Sequence, residues 1–148
     1  LPTLKSRCLI FNINFSFDES INVSNLLLDR NLLNLINYDL ISYYNTPGDF
    51  IRLINFSEEK KIDLKQYTLI NLLRLLIDNG YYKKNKFVKN LIINFIELYF
   101  LKEYKLNSSK KSLLGIYHNF MNKINNTEKY NLDEETLFYE FKSKLLNE

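Results

Sequence analysis

The sequence has few side chains of the kinds that bind metals or attack substrates. It contains one cysteine, Cys8, and one histidine, His118, which are far apart along the chain. A zinc site needs several Cys, His or carboxylate ligands at close spacing, and a cysteine nucleophile needs a nearby base. Neither residue has such a partner beside it. We therefore predict no metal site, and a structural or surface role for His118.

An arginine near the start of the sequence is a better candidate for a chemical role. Arg7 stands between a hydroxyl and a thiol in the run Ser6-Arg7-Cys8. A guanidinium is always charged and stabilises charge on a transferring phosphoryl group, and a neighbouring subunit can supply it in trans. On these residues alone, an ordinary surface arginine is the better explanation.

A basic cluster lies in the segment YYKKNKFVK, residues 81–89. Lysines bind phosphates and tyrosines stack on bases, which makes contact with nucleic acid one interpretation. The other interpretation, which we favour, is a solvated loop that leads into a helix. The lysines concerned are Lys83, Lys84, Lys86 and Lys89.

Composition restricts the class of protein. The chain has 148 residues, of which 46% are hydrophobic and 25% charged, with a net charge of +3. These values are typical of a globular protein and do not require a nucleic-acid partner. A single cysteine excludes an internal disulfide, and no signal peptide is visible. The longest apolar run, LIINFIELYFL at 91–101, contains Asn94 and Glu97 and is too short for a membrane span. We expect a cytoplasmic protein.

Helices dominate the predicted fold, because the chain has only three glycines and two prolines and its apolar residues repeat at helical spacing. The exception is CLIFNINF at 8–15, which predicts one short strand. Residues 18–29 and 31–45 predict two helices, and the second has one apolar face formed by Leu32, Leu33, Ile36, Leu40 and Tyr44. A third begins at NTPGDFIRLINF, where Thr46 can cap the helix, Pro47 suits its first position and Asp49 completes a capping box.

The second half of the sequence predicts a helical bundle. The charged segment SEEKKIDLKQ, residues 57–66, is the expected boundary between the two halves. Four helices follow: one ended by Asn79-Gly80, one over residues 85–102, one after the polar loop at 105–111, and one that begins at Asn131. The apolar positions predicted to be buried are Leu69, Leu72, Leu73, Leu76 and Ile77, then Leu113, Leu114, Tyr117, Phe120, Met121 and Ile124, then Leu137, Phe138, Phe141 and Leu145.

Three segments resemble one protein family in the same order along the chain. PTLKSRC at 2–8 resembles the Pro-Thr-Ile-x-Ser-Arg-Cys segment of bacterial clamp-loader subunits of the AAA+ class. NTPGDFIRLINF at 45–56 resembles the Gly-Ser-Pro-Gly-x-x-Leu-x-Leu segment of their helical lid. The ending EKYNLDEETLFYEFKSKLL at 128–146 looks like their last collar helix. The resemblance implies a mainly α fold: the end of an AAA+ core with its last strand at 1–15, a three-helix lid at 16–58 and a helical collar for oligomerisation at 59–148.

The same resemblance implies roles for single residues. Arg7 would be an arginine finger that acts on ATP bound by the adjacent subunit, with Ser6 and Cys8 supporting it. ATP-hydrolysing gamma/tau subunits usually carry a sensor arginine where this sequence has Gly48, whereas Thr46-Pro47-Gly48 resembles the delta-prime class, which is not an ATPase. Arg52 is four residues further on and is a poor substitute for that arginine.

The partners implied by the resemblance are the gamma/tau and delta subunits and, through the complex, the sliding clamp and primed DNA. This chain would hold no cofactor of its own and would perform no catalysis alone, as one part of a DNA polymerase III holoenzyme in DNA replication. Its AAA+ core, and any zinc module there, would precede residue 1. Two alternatives stay open: the gamma/tau ATPase subunit itself, and a standalone helical adaptor.

Overall fold

The computed structural model describes residues 14–106, 111–130 and 133–146, and these residues are mainly helical. The chain divides into two compact units, Leu1–Lys65 and Gln66–Glu148. This division falls inside the predicted boundary segment at 57–66. The predicted strand and the predicted end of the AAA+ core lie largely in residues 1–13, outside the described residues. Most of the polar loop at 105–111 also lies outside them.

The described residues of the first unit, 14–65, form three α-helices: α1 at Phe17–Leu28, α2 at Leu32–Leu35 and α3 at Pro47–Lys60. Helix α1 starts with a capping box between Ser16 and Glu19 and packs along α3. Helix α3 continues to Lys60, two residues past the lid boundary given by the resemblance. The core of this unit consists of Ile21, Leu32, Ile36, Leu40, Ile41, Phe50, Leu53, Ile54, Phe56 and Leu64.

The continuous helix predicted over residues 31–45 is wrong. Helix α2 ends after Leu35, and only a 3₁₀ turn at Tyr38–Leu40 follows. Asn37 is the reason, because its side chain accepts a hydrogen bond from Asp39 N while its own N–H donates to Leu64 O. Asparagine favours such local bonds over helix continuation. Tyr44, expected on the buried face, is 86% exposed.

In the second unit, the residues that the structure describes form four α-helices: α4 at Leu69–Asp78, α5 at Lys86–Leu106, α6 at Lys111–Tyr130 and α7 at Glu134–Phe141. The apolar stripe predicted for α4 is confirmed, since all five of its members are buried. Gly80 follows α4 with φ +60°, the left-handed stop predicted at Asn79-Gly80. A 3₁₀ turn at Tyr81–Lys83 and a π-helical turn at Lys142–Leu146 complete the unit.

Aromatic rings join α5, α6 and α7. Phe141 lies 6.0 Å from Phe100 and 5.4 Å from Phe120 between ring centroids. Phe120, Ile124, Leu137, Phe138 and Phe141 are buried as predicted, but Leu114 is 50% exposed. Helix α7 does not start at Asn131, which lies outside the described residues. Its N-cap is Asp133, whose side chain accepts from Glu135 N.

Candidate functional site

The candidate site residues are distributed over both units. Ser6, Arg7 and Cys8 belong to residues 1–13 and lie outside the described part of the chain. The segment Thr46-Pro47-Gly48, which the resemblance makes a lid motif, begins α3 in the first unit. The basic cluster spans the 3₁₀ turn at Tyr81–Lys83 and the start of α5 in the second unit.

The lid motif forms the predicted helix start. Asp49 N donates to Thr46 Oγ1 at 3.3 Å, and Thr46 N donates to Asp49 Oδ2 at 3.0 Å. These reciprocal bonds satisfy backbone donors that a helix start otherwise leaves open. Pro47 occupies the first turn, where its missing N–H costs nothing.

Gly48 is exposed, and the backbone does not require glycine there. A Cβ built on it would have Thr46 Oγ1 as its nearest neighbour, at 3.7 Å, which is ordinary van der Waals contact. A methyl group therefore fits at this position. Arg52 is exposed one turn later on α3.

Acidic residues face the basic cluster in the second unit. Lys83 Nζ lies 2.7 Å from Glu135 Oε1, and Lys89 is paired with Glu134. Both glutamates come from the first turn of α7, where negative charge also interacts favourably with the helix dipole. Within the described ranges, Lys84 and Lys86 are exposed and show no ion pair. Two of the four lysines thus form ion pairs with carboxylates in this structure.

The basic cluster and the acidic residues opposite it line a polar hollow of about 570 Å³. Four lysines and three acidic residues line it, which leaves one positive charge in excess. A phosphate there would meet carboxylates as well as ammonium groups, and like charge weakens binding. The acidic residues are Asp133, Glu134 and Glu135.

Tyr82 lies at the base of the hollow and is only 6% exposed. Its ring meets Phe138 edge-on, with centroids 4.9 Å apart. Its hydroxyl has no hydrogen-bond partner among the described residues. Burial, and to a lesser extent the charge of Glu135, raises the pKa of Tyr82 to about 12.

The described residues contain no cluster of three or more His, Cys, Asp or Glu side chains that could hold a metal ion. His118 is exposed on α6. Among the helices of the described ranges, none combines the length and the apolar character needed to cross a membrane.

Sequence reasoning missed the acidic face of the hollow and the environment of Glu97. The acidic residues are 45 and 52 positions away from the lysines that they pair with, so local patterns do not reveal them. Glu97 did give a signal, because it is the only charged residue in the apolar run at 91–101.

The chain was also compared with known proteins. No family model, no curated protein and no solved structure matches it.

Proposed function

We propose that this chain is the C-terminal part of a non-catalytic, delta-prime-like clamp-loader subunit of DNA polymerase III, and that it works in the cytoplasm. In this proposal it supplies the Arg7 finger to the ATPase site of a neighbouring gamma/tau subunit. Its second unit provides collar contacts for the assembly that loads the sliding clamp onto primed DNA.

The observation that carries the proposal is the pair of motifs PTLKSRC and NTPGDFIRLINF, in family order and ahead of a helical remainder. The start of α3 is consistent with a lid helix, since Thr46, Pro47 and Asp49 all have helix-initiating roles. Gly48 supports the non-hydrolysing class. It offers no side chain to a nucleotide, and the space around its Cα does not impose glycine there.

Substitution of Arg7 tests the finger. In a full-length assembly with gamma/tau and delta, we expect Arg7→Ala to slow hydrolysis at the adjacent ATP site by roughly 10³-fold or more, as for arginine fingers of GTPases. The assembly itself should persist. Arg30→Ala is the matched control, because Arg30 makes only an exposed ion pair with Glu58, at 2.8 Å. Equal ATPase rates in the two variants would contradict the proposed role of Arg7.

A further inference from the structure

A groove lies between the C-terminal part of α5 and the N-terminal half of α6. Its volume is about 190 Å³. An engineered apolar cavity of about 150 Å³ binds a benzene molecule, and this groove therefore has room for one large side chain. Phe100 and Tyr117 form part of its lining, with ring centroids 5.3 Å apart.

Exposed apolar side chains surround the groove. Leu101 is 37% exposed, Tyr104 41% and Leu114 50%. Leu101 and Tyr104 share one face of α5 with Glu97, at helical spacings of three and four residues. Clustered exposed apolar groups of this kind mark interaction sites more often than isolated ones do.

Among the described residues, Glu97 is the only charged one that lines the groove. Its carboxylate reaches solvent, yet partial burial among apolar groups raises its pKa. No ion pair joins it to a cation in the described part of the chain. Apolar neighbours take away part of the hydration of this carboxylate, and a cation brought by an occupant would make a charge-assisted hydrogen bond with it.

We propose that this groove binds a helix of a different protein chain, one that inserts a large apolar side chain and places a lysine or arginine against Glu97. A groove between two helices can accept a third helix, whose ridge of side chains packs into it. A second copy of this chain is a poor occupant, because a symmetric pairing through the groove would bring two Glu97 carboxylates together.

This inference rests on the proposed function, which makes the different chain a gamma/tau or delta subunit. The test is a titration of the full-length protein into purified gamma/tau and delta subunits, with the heteromeric assembly counted by mass photometry. Two variants address the groove: Leu114→Lys, which puts a charge into its apolar wall, and Glu97→Lys, which reverses its charge.

The matched control is Ile116→Lys. Ile116 is 45% exposed, on the same helix as Leu114, and does not line the groove. We expect both groove variants to raise the half-saturating concentration by about tenfold or more, as loss of an interface hot spot does. The control should change it by less than about threefold. Circular dichroism should show the same helix content in all variants, because all three positions are exposed.

The outcomes separate the two proposals. Assembly of the wild type together with equal behaviour of Leu114→Lys and Ile116→Lys would overturn the groove inference and leave the proposed function intact. Failure of the wild type to assemble would overturn both. Self-association that Leu114→Lys abolishes would instead identify a second copy as the occupant and contradict the inference.

Discussion

Lys83 Nζ lies 2.7 Å from Glu135 Oε1, although 52 residues separate the two in sequence. This contact joins the first turn of α7 to the 3₁₀ turn that precedes α5, and the pair Lys89–Glu134 joins it to the first turn of α5. Half of the basic cluster therefore has a carboxylate partner inside the same unit. Any binding of nucleic acid has to compete with these pairs.

Removal of the acidic partners should strengthen binding to DNA. We expect Glu134→Gln with Glu135→Gln to raise the affinity for a single-stranded oligonucleotide by about three- to tenfold at low salt, since two repulsive charges disappear. Fluorescence anisotropy at two salt concentrations measures this effect. Glu58→Gln with Glu59→Gln, in the first unit, is the matched control. Unchanged affinity in the first double variant would show that the lysine cluster does not contact DNA.

The unpartnered hydroxyl of Tyr82 should lower stability. Tyr82→Phe removes a buried polar group without a partner and keeps the ring on Phe138, so we expect the free energy of unfolding to rise by about 1 kcal/mol. Tyr82→Ala should lower it by about 3 kcal/mol through loss of packing. Urea unfolding followed by circular dichroism gives both values. A Tyr82→Phe variant less stable than wild type would reveal a hydrogen bond to that hydroxyl.

The same tyrosine makes stability depend on alkaline pH. Its pKa is raised to about 12 in the folded protein, whereas an unfolded tyrosine ionises near 10. Between these values the unfolded chain binds fewer protons, and wild-type stability should fall as pH rises. Tyr82→Phe should lose less stability over that interval. If the free energies of unfolding of wild type and Tyr82→Phe fell in parallel with rising pH, the raised pKa of Tyr82 would be contradicted.

Glu140 should contribute to stability only while it is ionised. Lys123 and Lys144 both lie 2.8 Å from its carboxylate, and their hydrogen bonds lower its pKa. The contribution is present above the ordinary glutamate pKa and is lost as pH falls through the lowered one. We expect Glu140→Gln to cost up to about 1 kcal/mol at pH 7, as partly exposed ion pairs do. The difference between the two proteins should shrink at pH 3 and in 1 M salt, and an unchanged difference would contradict this account.

The start of α3 gives a prediction on helix capping. Thr46→Ala removes an acceptor and should lower the free energy of unfolding by about 1 kcal/mol. Gly48→Ala should be neutral or stabilise by up to about 1 kcal/mol, because the backbone is helical and the added methyl has room. Denaturant titration of both variants checks the pair. Destabilisation by Gly48→Ala would mean that glycine is structurally required, which would remove one support for the non-hydrolysing class.

The predictable parts of the fold are those in which local signals and burial agree. The stripe on α4 and the Thr46 cap depend on residues within one or two helical turns, and both are confirmed. The prediction of one helix over 31–45 was wrong. Asn37 makes a competing local hydrogen bond with Asp39 N, and its N–H donates to Leu64 O, 27 residues further along the chain. Helix α7 starts at Asp133 rather than Asn131, since two acceptable caps stand close together.

The candidate site was less predictable than the helices. The lysines were visible in the sequence, but their carboxylate partners come from another helix. Glu97 was visible as a charge within an apolar run, yet its position beside a groove depends on how α5 packs against α6. The role of Arg7 stays a prediction that rests on the resemblance.

Native mass spectrometry of the full-length protein mixed with purified gamma/tau and delta subunits tests the central claim most directly. The account predicts a defined heteromeric ring that contains one copy of this protein. A protein that stays monomeric or pairs only with itself, under conditions in which an authentic delta-prime subunit assembles, would contradict the clamp-loader assignment and with it the role of Arg7.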